Sequence, residues 1–268
     1  MSEIKKEVAE KSILITGAVG VGKTTVANKL GELTNMPVVP LDLLRHCPMT
    51  IAEIERNRKN KVFDDKTCDE HIRLRKMFPN VPNYETMLIN DGAAHFDGMV
   101  STFLDGKFGK VAWHFYQKQF ENMLLAAVME QATEPCIFDL GGGMAVSLDY
   151  EYSKYAKEFK RLDAELFKKH FDLSKIGVSH IKRILGQFSH VICLDPPSDY
   201  MYRRTRASQD ELNPAFIKSG QYHERATDAR HIINVENLIL HGNAINRDKL
   251  DEIANQIVAL TAAPKLRK

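Results

Sequence analysis

Gly17, Gly22, Lys23 and Thr24 stand at the spacing G-x-x-x-x-G-K-[ST]. The apolar run Ile13-Leu14-Ile15 precedes them, and Val26, Ala27, Leu30 and Leu33 follow at helical spacing. This is a strand, a glycine-rich turn and a helix in succession, the context in which a P-loop holds phosphate. Glycines, Gly20 among them, let the backbone turn tightly so that its N–H groups face phosphate oxygens. The helix start adds unsatisfied N–H groups and the positive end of the dipole. Lys23 is placed to reach the β- and γ-phosphates, and the Thr24 hydroxyl to ligate Mg²⁺. Gly17, Gly20, Gly22, Lys23, Thr24 and Thr25 are therefore the expected nucleotide-binding residues.

Further groups with chemistry lie downstream. Asp139 ends the apolar run Cys136-Ile137-Phe138. An aspartate at a strand tip beside a P-loop can hold a Mg²⁺-bound water or orient an attacking hydroxyl, so Thr24 and Asp139 are the expected metal residues. Without that role it would cap the next turn. Gly141-Gly142-Gly143 offer a second close approach of backbone to a ligand, or merely a flexible turn. Arg203, Arg204 and Arg206 lie on an expected helix that could place one arginine over an adenine ring and another over a transferring phosphoryl group. Three arginines on an exposed helix could also simply be solubilising. His95 and Asp97 in a glycine-flanked loop could touch substrate, although a lone histidine there is more often structural.

The elements that must position these groups alternate. Asn35 breaks the first helix, and Pro37 to Leu41 reads as a short strand with Asp42 just past its end. Thr50 and Glu53 form an expected capping box for the next helix. Residues 57–112 read as an insertion of helices and loops on one side of the site. Its basic run, Arg56 to Lys61, is most simply a solvated helix face. Helices are expected over Trp113–Gln131, Tyr150–His170, Ser179–Phe188 and Asp248–Leu260. Strands are expected over Cys136–Leu140, Val191–Leu194 and Arg230–Val235. Polar Ala207 to Gly220, interrupted by Pro214, reads as a lid. Strands alternating with helices predict an α/β fold, a parallel sheet with helices on both faces and the ligand beyond the C-terminal strand ends.

Composition narrows the classes. The 268 residues are 44% hydrophobic and 27% charged, with a formal net charge of +2. That suits a globular domain with a real core and gives no reason to expect nucleic acid as a partner. Cys47, Cys68, Cys136 and Cys193 are scattered without a C-x-x-C pair, against a zinc site or a disulfide framework, and Cys136 and Cys193 are expected core thiols. The charged N-terminus has no apolar signal core, and no run of about 18 apolar residues exists. The expectation is a soluble, cytoplasmic-type protein that does not enter a membrane.

Taken together, the chain resembles the shikimate kinase-like group of P-loop small-molecule kinases. The resemblance rests on Gly17 to Thr25, on Val38-Val39-Pro40-Leu41-Asp42 followed by Thr50-Ile51-Ala52-Glu53-Ile54, on Glu121 ahead of the triple glycine, on Arg203-Arg204, and on Tyr222-x-Glu224-x-Ala226. It covers most of the chain outside the insertion and Tyr150–Phe188. It implies a single kinase-like domain over 1–268, a three-layer α/β/α fold with a five-stranded parallel sheet of order 2-3-1-4-5, and an arginine-bearing lid over 207–220.

Departures from the group's pattern fall on the acceptor side. Pro40 replaces the first of two aspartates, leaving Asp42 as the residue implied to contact the substrate hydroxyl. Lys118 and Lys218 stand where the group grips a carboxylate with arginines, which keeps charge but loses the planar fork. Asn213 replaces the lid arginine, whose role would pass to Arg206 or be absent. The resemblance thus implies ATP with Mg²⁺, phosphoryl transfer to the hydroxyl of a small molecule other than shikimate, and catalysis by Lys23, Asp42, Asp139 and Arg206. Lys118, Lys218, Asp42 and Gly141 to Gly143 would hold the acceptor, and Arg203 and Arg204 the nucleotide. One alternative is a nucleoside, nucleotide or sugar-nucleotide kinase. Another is a nucleotide-dependent switch or ATPase that docks a protein partner through the insertion or residues 150–188.

Overall fold

The computed structural model describes residues 3–17, 22–81, 83, 123–140, 183–194, 238–241 and 250–262. Two compact units divide the chain: Met1–Pro40 with Glu134–Ser147 and Leu185–Lys268, and Leu41–Thr133 with Leu148–Ile184.

The first unit is built on strands β1 (Ile13–Gly17), β2 (Val38–Pro40), β3 (Ile137–Asp139), β4 (His190–Leu194) and β5 (Leu238–His241). They pair in parallel in the order β2-β3-β1-β4-β5. Every residue of β1 and β3 is buried, as expected of strands covered on both faces. Pro40 lies on the edge strand β2, where a missing N–H breaks no ladder. The expected fifth strand, Arg230–Val235, lies outside the described residues. The strand that pairs with β4 is formed instead by the apolar run Leu238-Ile239-Leu240 and His241.

Among the described residues, three helices belong to this unit: α1 (Glu3–Lys11), α2 (Lys23–Thr34) and α6 (Leu250–Ala262). Ile13 and Ile15 of β1 share one buried cluster with Val26 and Leu30 of α2 and with Ile253 and Ile257 of α6. The alternate strand positions, Leu14 and Phe138, point to the other face. There the Phe138 ring meets Phe188 edge-on, with centroids 5.6 Å apart. Helix α1 forms where the sequence shows only a charged N-terminal segment. It buries Val8 and Ala9. Ser12 joins it to the sheet, donating to the Val8 carbonyl at 2.6 Å and accepting from the Cys136 N–H at 3.1 Å. Asn35 ends α2 in the left-handed conformation, φ 61°, with its N–H on the Gly31 carbonyl.

The second unit includes α3 (Leu41–Leu44), α4 (Ile51–Lys59), α5 (Asp65–Met77) and helical residues 123–131. Thr50 and Glu53 form the expected reciprocal capping box of α4. Asp64 caps α5 through the Thr67 N–H. Within the basic run, Arg58 is tied to Asp69 of α5 rather than left to solvent. Leu124, Leu125 and Val128 are buried, while the start of the expected Trp113–Gln131 helix lies outside the described residues. All four cysteines are buried free thiols. No helix among the described residues is long and apolar enough to cross a membrane.

Candidate nucleotide-binding site

Strand β1 delivers the chain to the site and α2 takes it away. Gly17 at the strand end has φ 141°, and Gly22 just before α2 has φ 97°. Both values lie where only glycine is at ease, so the two glycines of the motif are required by backbone shape. Gly22 occupies the N-cap position and contributes no side-chain cap, so no side chain at that position competes for the first-turn N–H groups of α2. Lys23, the first residue of α2, is buried, and its Nζ donates to the Gly17 carbonyl at 3.2 Å. The ammonium thus lies back toward the end of β1.

Sheet order supplies the acid. β3 runs beside β1, with Asp139 opposite Ile15. The Leu140 N–H donates to the Ile15 carbonyl and continues the ladder one step. Asp139 is buried, and its Oδ2 accepts a 2.6 Å hydrogen bond from Thr24 Oγ1. That length lies in the range of a hydroxyl donating to a carboxylate. It brings together a hydroxyl and a carboxylate, both hard oxygen donors of the type Mg²⁺ takes. Among the described residues no group of three His, Cys, Asp or Glu could hold a metal. Mg²⁺ held by these two oxygens would commonly keep waters and take phosphate oxygens as well.

The remaining expected residues divide. Thr25 is exposed on the first turn of α2. Asp42 lies just past β2, in the first turn of α3, because Leu41 and Leu44 at i, i+3 both find burial and wind the chain. It is exposed and pairs with Arg45 at 3.6 Å. Sequence reading missed Arg45, since only a helical turn puts position i+3 beside Asp42. Gly20, Lys118, Gly141, Gly142, Gly143, Arg203, Arg204, Arg206 and Lys218 lie outside the described residues, as do His95, Asp97 and the 207–220 lid.

No family model matches the chain. The chain is similar to the ATP-dependent protease ATPase subunit HslU of Geobacillus kaustophilus (strain HTA426), with 26% identity over 170 residues. The match covers 54% of this chain and 36% of that subunit. An α/β fold with a parallel sheet, a glycine-rich loop at the end of its β1 strand and this similarity are compatible with a P-loop NTPase.

Proposed function

We propose that the protein is an ATP-dependent phosphotransferase acting on the hydroxyl of a small molecule, with a nucleotide, nucleoside or sugar nucleotide as the alternative acceptor class. The observation that carries the donor half is the Thr24–Asp139 hydrogen bond beside the Lys23-bearing turn. The strand order β2-β3-β1-β4-β5 also supports it, because the strand that carries Asp139 runs beside β1. On this reading 1–268 is one kinase-like chain, 57–112 an insertion on the acceptor side and 207–220 a lid.

Lys23 would leave the Gly17 carbonyl for β- and γ-phosphate oxygens. Thr24 and Asp139 would hold Mg²⁺, which neutralises charge on those oxygens when bound. Asp42 would accept the proton of the acceptor hydroxyl. Arg206 would stabilise the transferring group, Arg203 and Arg204 the nucleotide, and Lys118, Lys218 and Gly141 to Gly143 the acceptor. Closure of the lid would exclude water. The test is ATP consumption against a panel of hydroxylated acceptors. Asp42→Asn should leave ATP binding intact and lower transfer by about 10²–10⁴-fold. Full transfer by that variant would remove Asp42 from the base role.

Similarity to HslU, by name the ATPase subunit of a protease, favours a second reading: a nucleotide-driven ATPase that acts through a protein partner. Its signature is ATP binding without turnover on any small acceptor, and turnover restored by a co-purifying protein.

A further inference from the structure

His71 and Arg75 lie one turn apart on α5, and both are almost fully buried, 1% and 3% exposed. Arg75 gathers two chain segments. Its Nε donates to the Pro48 carbonyl at 2.8 Å and its Nη2 to the Cys47 carbonyl at 2.9 Å. Its Nη1 donates to the carbonyls of Phe78 and Val81. Among the described residues its hydrogen-bond partners are these carbonyls and the Cys47 side chain, so this buried cation is held without a paired carboxylate. Arg75 thereby clamps the chain leaving α3 and the chain leaving α5 onto one helix.

His71 has the opposite situation. Neither ring nitrogen has a hydrogen-bond partner of good geometry, the backbone of Leu43 offering only a weak one. The Phe63 ring packs against it edge-on, with centroids 5.0 Å apart. Among the described residues the groups facing it are few. On α5 they are Arg75 and Glu70, and the Glu70 carboxylate is already held by Arg73 at 2.8 Å. From the end of α3 they are His46, whose ring accepts from Arg45, and Cys47, whose thiol lies against the His71 carbonyl. Burial pushes that thiol up, so Cys47 supplies no negative charge near neutrality.

We infer that His71 and Arg75 form an acid-sensitive latch: protonating His71 sets a second unpaired cation beside Arg75 and releases α5 from the Cys47–Pro48 and Phe78–Val81 segments. Burial first, and then the Arg75 charge, hold the imidazole below its ordinary value. Between that lowered value and the ordinary one, about 6.5, the open form binds the proton and the closed form does not. The stabilisation is present above about pH 6.5 and lost as pH falls below it. The latch needs no nucleotide, so it stands or falls independently of any kinase or ATPase activity.

Amide hydrogen exchange of the full chain, corrected for intrinsic rates, tests it between pH 7.5 and 5.5. Protection of residues 65–77 should fall by up to about tenfold per pH unit below 6.5. Helices α2 and α6 should keep theirs. His71→Phe should abolish the fall, and His46→Gln should retain it. An equal fall in His71→Phe, no fall in the native chain, or an equal fall over α2 would overturn the latch. The native-chain comparison of α5 with α2 decides the matter even where His71→Phe does not fold.

Discussion

Lys23 shows how one residue can be fully engaged before any ligand arrives. Its ammonium is buried and bonded to the Gly17 carbonyl, and Thr24 is likewise held by Asp139. On the proposed function, nucleotide binding would exchange these internal hydrogen bonds for bonds to phosphate. Hydrogen bonds to charged groups contribute about 1.5–3 kcal/mol, so Lys23→Ala should weaken ATP binding by at least about tenfold. Unaltered affinity in a direct titration would refute the phosphate role of this loop. The two motif glycines carry a different message. Gly17 and Gly22 sit at positive φ, so their identity follows from the turn itself and would be required even of an idle loop.

At the scale of elements, α2 and α4 show local signals meeting tertiary limits. The capping box of α4 was legible from Thr50 and Glu53 alone, because both bonds span only three residues. Thr50→Ala should lower stability by about 1 kcal/mol, read as a shift in the urea midpoint. Gly31 in α2 gives the contrary case. Alanine within a helix is normally favoured over glycine by about 1 kcal/mol. Here an added Cβ would stand 2.7 Å from Val38 Cγ2 and 3.2 Å from the Met36 carbonyl oxygen. Val38 is β-branched and rotates little, and overpacking costs about 1–3 kcal/mol. Gly31→Ala should therefore destabilise, and a raised denaturation midpoint would show that α2 can draw back from β2. The short α3 was missed because four residues carry too little periodicity to distinguish a turn of helix from a loop.

For the whole molecule, the proposed nucleotide site implies ligand-linked stability. Mg²⁺–ATP at about 100 times its dissociation constant should stabilise the unit that contains β1 and α2 by about 2.7 kcal/mol. Thermal unfolding with and without nucleotide would show this as a raised midpoint, absent in Lys23→Ala. No shift in the native chain at saturating nucleotide would argue that this loop binds no ATP. The acid response inferred for α5 belongs to the other unit, so the two effects should separate: nucleotide protects one, and pH governs the other.

The sequence by itself determined what depends on neighbours a few residues apart. The glycine-rich turn, the Asn35 stop, the capping box and the apolar strand cores at Ile13, Ile137 and Val191 all follow from steric and hydrogen-bonding rules over one to five positions. Burial of Cys136 and Cys193 was likewise legible from their apolar surroundings. Only tertiary structure decided that Asp139 meets Thr24, 115 residues away, because that contact needs β3 to insert between β2 and β1. Only it revealed that Ser12 ties α1 to the sheet, that Arg45 sits beside Asp42, and that Arg75 gathers four carbonyls around a buried charge. Strand order and helix docking are settled by the burial of faces assembled from distant segments, and no local spacing records which distant segment will arrive.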